Sequence, residues 1–172
     1  MINHNTTYSQ LLEAWKDNSS ALVDKLTKKL GRHYPESKVK FGSFQHDEDP
    51  HLAHIVKHGQ GHDDLHPDSD RIANIMPDNK CHWNAADLHK RGHIDHIVIG
   101  YARNRDGRWL QHTWGSKEDK TVETTPSGIS HTAYFGVKLN KKQSEKFSSW
   151  TRRPENFPGA GRTRRHHDMG LF

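Results

Sequence analysis

The stretch Lys80-Cys81-His82-Trp83-Asn84-Ala85-Ala86-Asp87-Leu88 contains the single cysteine of the chain. Cys81 and the apolar residues at i+4 and i+7 share one face at helical spacing, which predicts a helix over about residues 80–90. Asp78 or Asn79 is expected to cap its start. The stretch therefore predicts a helix that presents Cys81 in its first turn.

Segments rich in β-branched and aromatic residues follow this helix and predict an antiparallel sheet of about four strands. They are residues 94–102, 109–114, 120–125 and 133–139. Asp106-Gly107 is typical of a tight hairpin between the first two, and residues 115–119 are expected to form the next turn. Asn140 is expected to cap a final helix that runs to Trp150.

The N-terminal part predicts two helices within residues 6–30, separated at Asn18-Ser19-Ser20 and closed by Gly31. Residues 37–44 alternate and predict a short strand. The predicted fold class is α+β: the helix that bears the cysteine packs on the antiparallel sheet, with the N-terminal helices alongside. One domain over residues 6–150 is expected to hold all of these elements.

The charge distribution excludes a basic nucleic-acid platform in the body of the protein. Residues 1–140 hold 18 basic and 18 acidic residues, whereas residues 141–172 hold 8 basic and 3 acidic, so the net charge of +5 lies in the tail. A single cysteine cannot form an internal disulfide, and no signal peptide or apolar run of roughly 18 residues is evident. The expected location is cytoplasmic, away from membranes.

Three side chains follow one another in an order that predicts thiol chemistry: Cys81 on the helix, then His112 and Glu123 on two neighbouring strands. A thiol attacks as its thiolate, which a helix N-terminus and a nearby imidazolium both favour. A carboxylate behind the histidine fixes its orientation. Cys81 is therefore the predicted nucleophile, His112 the base and then the acid, and Glu123 the orienting group.

Two further residues are candidates for contacts with substrate. Backbone N–H groups at the helix start or the side chain of Asn84 are candidate oxyanion donors, and Trp114 is a candidate substrate-binding residue. The alternative for Trp109 and Trp114 is a place in the core or in the wall of a cleft. No cofactor is expected, and the substrate would be a peptide, a protein or a small amide.

Cys81 on a helix, His112-x-Trp114 on a strand and Glu123-x-Thr125 on the next strand together resemble the transglutaminase-like branch of the papain-like cysteine enzymes. The resemblance covers residues 78–137, about a third of the chain. It implies an α+β fold and a hydrolase or acyltransferase of the peptidase, amidase, deamidase or transglutaminase type. The chain departs from the family in having Glu where Asp is usual, and in offering no identifiable Gln upstream of the cysteine.

Other roles for these residues stay open from sequence alone. Cys81 can be a small buried hydrophobic residue, and Glu123 a solvated strand residue. His82, His96 and His131 compete with His112 for the place beside the thiol. Whether His112 and Glu123 share a face depends on the register of the turn between their strands, because a shift of one residue reverses every side chain.

Residues 45–70 are rich in histidine and aspartate and are expected to form a polar loop, in which residues 52–57 could make one or two helical turns. Its histidines support a second hypothesis, a metal-binding protein; they are His46, His51, His54, His58, His62 and His66. The last four recur every four residues, but Gly59 and Gly61 argue against the helix that would align them. We expect no required metal there.

The basic tail, residues 151–172, supports a third hypothesis. Arg152-Arg153 and the cluster at residues 162–167 could contact phosphates of nucleic acid or a partner without reading sequence. The preferred interpretation of this segment is a disordered tail that aids solubility.

Overall fold

The fold is α+β, as predicted, with helices packed against a curled mixed sheet. The computed structural model describes residues 8–42, 51–152 and 171–172. Its helices are α1 (Tyr8–His33), α2 (Leu52–His58), α3 (Ser69–Asn74), α4 (Cys81–Lys90) and α5 (Lys141–Thr151), with a 3-10 helix at Pro126–Ser130. Its strands are β1 (Lys40–Phe41), β2 (Gln60–Gly61), β3 (His96–Arg103), β4 (Arg108–Lys117), β5 (Lys120–Val122) and β6 (Ala133–Lys138).

The central part of the sheet is antiparallel, in the order β4-β3-β6. Gly100 on β3 lies opposite His112 on β4 and Gly136 on β6, so these residues share one face. The predicted strands of this region are present. The sheet has six strands in the described ranges rather than about four, and it is mixed because β1 runs parallel to β4.

The sheet curls until its two edges are joined through residues 60–66. β2 pairs with β6 at one edge, while β5 pairs with β4 at the other. Leu65 then bridges Thr121 on β5, and the His66 N–H donates to the Thr121 carbonyl at 2.8 Å. This connection encloses the face that carries His112.

Helices cover the opposite face of the sheet in two groups. Near Ile97 and Ile99, α4 and α5 contribute Leu88 and Phe147 to one apolar cluster. Further along β3, α1 and α2 pack on a second cluster that includes Tyr101. No helix in the described ranges is long and apolar enough to cross a membrane.

The prediction of two N-terminal helices was wrong, because α1 runs without a break from Tyr8 to His33 and includes Gly31. Polar residues such as Asn and Ser weaken a helix only slightly where its packing continues. The strand predicted at residues 37–44 is limited to Lys40–Phe41 in the described part, and residues 43–44 lie outside it.

The predicted cap of α4 was also wrong. Lys80 occupies the N-cap position and its side chain makes no capping bond. The Asp78 carboxylate instead accepts from the backbone N–H of Ser127 at 3.2 Å and from its hydroxyl at 2.6 Å. Asn79 has a φ of 57°, so it forms the turn before the helix. By contrast, Asn140 forms the predicted N-terminal cap of α5, a capping box with Gln143.

The turn between β4 and β5 is shorter than the predicted residues 115–119. β4 continues to Lys117, and the chain reverses at Glu118 and Asp119, whose φ angles are 51° and 60°. Two consecutive residues at positive φ are the geometry of a tight two-residue hairpin. The resulting register pairs Gly115 with Val122.

Two segments expected to be largely irregular contain ordered residues. Within the predicted polar loop, α2 at residues 52–58 agrees with the one or two helical turns expected there, whereas β2 at residues 60–61 was not expected. At the end of the predicted disordered tail, Leu171 is buried in the same cluster as Leu88 and Phe147, and Phe172 stacks on His54. Residues 153–170, which hold most of the basic cluster, lie outside the described residues.

The position of Leu171 predicts that it stabilises the fold. Leu171→Ala should lower the free energy of unfolding by about 2–4 kcal/mol, because a leucine that is only 7% exposed is lost from a packed cluster. Urea denaturation measures this. Ile75→Ala is the matched control, since Ile75 is 71% exposed and its loss should change stability by no more than about 0.5 kcal/mol. Equal effects of the two substitutions would contradict the packing of Leu171.

Candidate active site

Cys81 is the first residue of α4 and is partly exposed. The first N–H groups of a helix have no acceptor within the helix, and the helix dipole places partial positive charge there. Lys80 does not cap this end with its side chain. The thiol therefore lies at a terminus that favours negative charge and remains within reach of solvent.

His112 on β4 contacts both of the other predicted residues. Its Nε2 lies 2.7 Å from Oε1 of Glu123, and its ring also forms a hydrogen bond with the Cys81 thiol. Because Nε2 faces the carboxylate, Nδ1 is the nitrogen left for the thiol. The structure thus brings Cys81, His112 and Glu123 into one chain of hydrogen bonds.

Cys81 can reach His112 because the backbone hydrogen bonding along one edge of β4 is interrupted. β1 pairs with this strand at Arg108–Trp109, and β5 pairs with it at residues 115–117. Between them, the ladder is interrupted: the Thr124 hydroxyl, rather than a backbone N–H, donates to the Thr113 carbonyl at 2.8 Å. The start of α4 approaches the sheet at this interruption, which is why a helix residue can reach a strand histidine.

Asn84 is not available as the predicted oxyanion donor. Its Nδ2 donates to the carbonyls of Pro77 and Thr124, both at 2.7 Å, and the side chain is fully buried. An amide nitrogen has two protons, and both are used. Asn84 instead anchors the first turn of α4 to the chain that follows β5.

Trp114 does not have the exposure that its predicted contact with substrate requires. It is 0% exposed and stacks beside His112 with ring centroids 6.1 Å apart. Tyr134 and the edge of His62 complete its surroundings. Trp114 is therefore a core residue, and its ring packs against the ring of His112. Trp109 is likewise buried, at 1% exposed.

The competing histidines next to the thiol have other partners. Nδ1 of His82 lies 2.5 Å from the Thr113 hydroxyl, and Nδ1 of His96 lies 3.0 Å from the Leu139 carbonyl. His131 does belong to the site, but as a partner of Glu123: its Nδ1 is 3.2 Å from Oε2.

Glu123 is the most heavily bonded residue of the site. Its Oε1 accepts from the backbone N–H groups of Thr124 at 2.7 Å and Thr125 at 3.2 Å, in addition to His112. Its Oε2 accepts from the Tyr134 hydroxyl at 2.8 Å and from His131. With 1% of the side chain exposed, the carboxylate obtains all of these partners from protein groups in the described chain.

Gly128 in the 3-10 helix makes room for this carboxylate. A Cβ built on Gly128 would lie 2.1 Å from Cδ of Glu123, a distance that no side chain can tolerate. The Gly128 carbonyl also accepts from Tyr134 at 3.3 Å. Gly128 thus serves a steric purpose that spacing alone does not reveal.

The electrostatics of the site favour a charged pair. Burial opposes the charged form of His112, but the Glu123 carboxylate and hydrogen bonds to Cys81 and Glu123 outweigh it and raise its pKa to about 10. Burial also acts to raise the pKa of Glu123, yet His112 and His131 hold it well below its usual value. Burial and the Glu123 charge raise the pKa of Tyr134, so its hydroxyl stays protonated as a donor.

Sequence reasoning missed the roles of Tyr134 and of the Thr124 and Thr125 amides, and it placed His131 only among competitors for the thiol. Tyr134 lies on β6, two strands away from β4, and reaches Glu123 because the sheet curls. No spacing between these residues signals the contact. The one available signal was chemical, since a buried carboxylate requires several donors.

His112, Glu123 and His131 could together serve as the ligands of a metal ion. One ligand atom each from His112, Glu123 and His131 lies within 4.8 Å of the others. Two imidazoles and a carboxylate can bind zinc. An ion would have to replace the hydrogen bonds that Glu123 makes with both rings.

As expected from Gly59 and Gly61, no continuous helix aligns the four histidines of residues 54–66. His54 and His58 are neighbours on α2, which ends at His58. Nε2 of His62 instead lies 3.2 Å from the Gly136 carbonyl, and His66 Nδ1 accepts from the Asp68 N–H. His46 lies outside the described residues.

A scan against protein-family models, a search of curated proteins and a search of solved structures each found no match to this chain.

The raised pKa of His112 predicts a pH dependence of stability. A group whose pKa is raised by folding contributes fully below its ordinary pKa of 6.5, and the contribution is lost as pH rises through about 10. The difference in unfolding free energy between wild type and His112→Gln should therefore shrink from pH 7 to pH 10. Glutamine keeps a donor near the position of Nε2 but does not titrate. Denaturant titrations at several pH values measure this, and a constant difference would contradict an imidazolium at His112.

Proposed function

We propose that this protein is a cysteine-nucleophile enzyme that acts on an amide or related acyl bond through a thioester. The observation that carries the proposal is the hydrogen-bonded chain from Cys81 through His112 to Glu123. One imidazole joins a partly exposed thiol to a buried carboxylate, so each ring nitrogen has the partner that this chemistry needs.

In the first half of the reaction, the Cys81 sulfur forms a bond to the carbonyl carbon, and the carbonyl electron pair moves to oxygen. The tetrahedral intermediate then collapses: the C–N bond breaks, and His112 gives the proton on Nδ1 to the departing amine. The acyl group is left as a thioester on Cys81. Glu123 keeps the imidazole oriented throughout and stabilises the positive charge of the ring until His112 gives up this proton.

In the second half, His112 accepts a proton from the incoming nucleophile, which attacks the thioester carbon. Water gives a carboxylic acid, and an amine gives a new amide; in both cases the C–S bond breaks and the thiol is restored. The same three residues therefore serve a peptidase, an amidase, a deamidase or an acyltransferase. What distinguishes these activities is the group that leaves and the group that enters.

The donor for the developing oxyanion is the backbone at the start of α4 in this proposal. The Cys81 N–H lies in the first turn, where the helix supplies no acceptor, and it is adjacent to the attacking sulfur. This replaces Asn84, whose amide protons are already donated. It also agrees with the absence of an identifiable upstream Gln in the sequence.

The proposal predicts a reactive thiol whose reactivity depends on His112. Iodoacetamide at pH 6 should label Cys81 roughly ten times faster than it labels glutathione, because the imidazolium favours the thiolate. Labelling is unambiguous, since the chain has one cysteine. His112→Ala should remove most of this advantage, and intact-protein mass spectrometry measures the rates.

The control is His93→Ala, which removes an exposed histidine from the turn after α4 and should leave the rate unchanged. If Cys81 reacts no faster than glutathione and His112→Ala has no effect, the thiol has a structural role only. For a reactive thiol, comparison of ammonia release with peptide cleavage on glutamine-containing peptides then separates deamidation from proteolysis.

The convergence of His112, Glu123 and His131 favours a second candidate, a metal-binding protein that uses these three ligands. Both candidates require the same histidine, but they use it differently. A metal needs His112 and His131 without their protons on the ligand nitrogens, whereas the thiol proposal needs a proton between His112 and Glu123.

We expect treatment with EDTA to change the melting temperature by no more than about two degrees, because hydrogen bonds already satisfy the Glu123 carboxylate. The Cys81 alkylation rate should likewise stay the same. Differential scanning fluorimetry and mass spectrometry measure the two quantities. A large fall in melting temperature that zinc reverses, and that Glu123→Gln abolishes, would favour the metal-binding candidate.

A further inference from the structure

We propose that His131 is a positioning residue of this site, which with Tyr134 holds Oε2 of Glu123 so that Oε1 stays on His112. The inference rests on the proposed function, because it concerns the group that orients the base. It extends the site from three residues to five, with donors drawn from β6 and from the segment after the 3-10 helix.

The two carboxylate oxygens of Glu123 have different hydrogen-bond partners. Oε1 faces His112 and the two backbone N–H groups that follow Glu123. Oε2 receives only side-chain donors in the described chain, from Tyr134 at 2.8 Å and His131 at 3.2 Å. A carboxylate that is bonded at both oxygens cannot rotate about its last bond without losing several contacts at once.

The donors to Oε2, His131 and Tyr134, are needed because residue 123 is Glu rather than Asp. Glu has one more rotatable bond than Asp, so the backbone alone controls its carboxylate less well. The Thr124 and Thr125 amides hold one oxygen, but they allow the carboxylate plane to turn about that oxygen. His131 and Tyr134 remove this freedom. The additional rotatable bond of Glu123 and the additional donors thus explain each other.

His131 is itself held in place. Its backbone N–H donates to the Gly128 carbonyl at 2.8 Å, and its ring meets the His112 ring edge-on, with centroids 4.8 Å apart and planes at 78°. Only 8% of its side chain is exposed. The ring therefore contacts Glu123 and His112 at the same time.

The role of His131 requires a donor at the position of Nδ1 and does not require a positive charge. Asparagine places its amide nitrogen near that position, whereas glutamine places its nitrogen further out, close to where Nε2 lies. His131→Asn and His131→Gln are therefore matched polar variants of which only the first can donate to Oε2 in the same place. Tyr134→Phe removes the second donor and keeps the ring.

The experiment compares these variants by the rate of Cys81 alkylation with iodoacetamide and by the NMR signal of the His112 Nε2 proton. We expect His131→Asn to stay within about threefold of wild type and His131→Gln to fall by roughly tenfold or more, since misplacing a catalytic group lowers the rate steeply. The His112 proton signal should keep its position in His131→Asn and shift or broaden in His131→Gln. Tyr134→Phe should slow alkylation as well.

Two results would overturn the inference: equal rates in wild type, His131→Asn and His131→Gln, or a loss in both variants that leaves the His112 proton signal unchanged. The latter would show a purely structural role. Failure of the proposed function has a different signature, because wild-type Cys81 would then react no faster than glutathione. In that case every His131 variant would match it.

Discussion

The buried negative charge of Glu123 is the constraint on which the rest of the structure depends. A carboxylate that is 1% exposed costs several kcal/mol unless protein groups replace its hydration. Here the donors come from β4, from the backbone after β5, from β6 and from the segment after the 3-10 helix. The curl of the sheet brings these elements together around the charge of Glu123.

The edge of β4 determines how α4, the helix that begins at Cys81, joins the sheet. Hydrogen bonding along one edge of β4 is interrupted, and the polar groups exposed there need partners. Thr124 supplies one through its hydroxyl, and Asn84 ties the chain after β5 to the first turn of α4. Cys81, three positions before Asn84, therefore lies beside His112. The buried amide positions the thiol without taking part in the chemistry that we propose.

The site also separates what must be buried from what must be accessible. Glu123 lies in the interior, and Cys81, at the other end of the chain of hydrogen bonds, is partly exposed. His112 lies between them and bonds to both. The pKa of His112 is raised to about 10 because the charge behind it is both close and shielded from water. In the proposed reaction, His112 is the charged group beside the sulfur, and the Glu123 carboxylate stays buried behind it.

Local features of the sequence determined the elements of this protein, and long-range contacts determined the site. The β-rich segments, the Asp-Gly turn and the Asn140 cap depend on neighbouring residues, so they could be predicted, as could Cys81, His112 and Glu123 as the groups with suitable chemistry. Their convergence was a hypothesis that local features alone could not establish. The sequence left open whether His112 and Glu123 share a face, because the answer depends on the register between their strands. The two-residue turn at Glu118 and Asp119 fixes that register, and Glu123 meets His112. The donors His131 and Tyr134, the core position of Leu171 and the closure through residues 60–66 depend on pairing between distant segments. Such contacts arise because a buried charge and an open sheet edge both require partners, and only the folded chain decides which residues supply them.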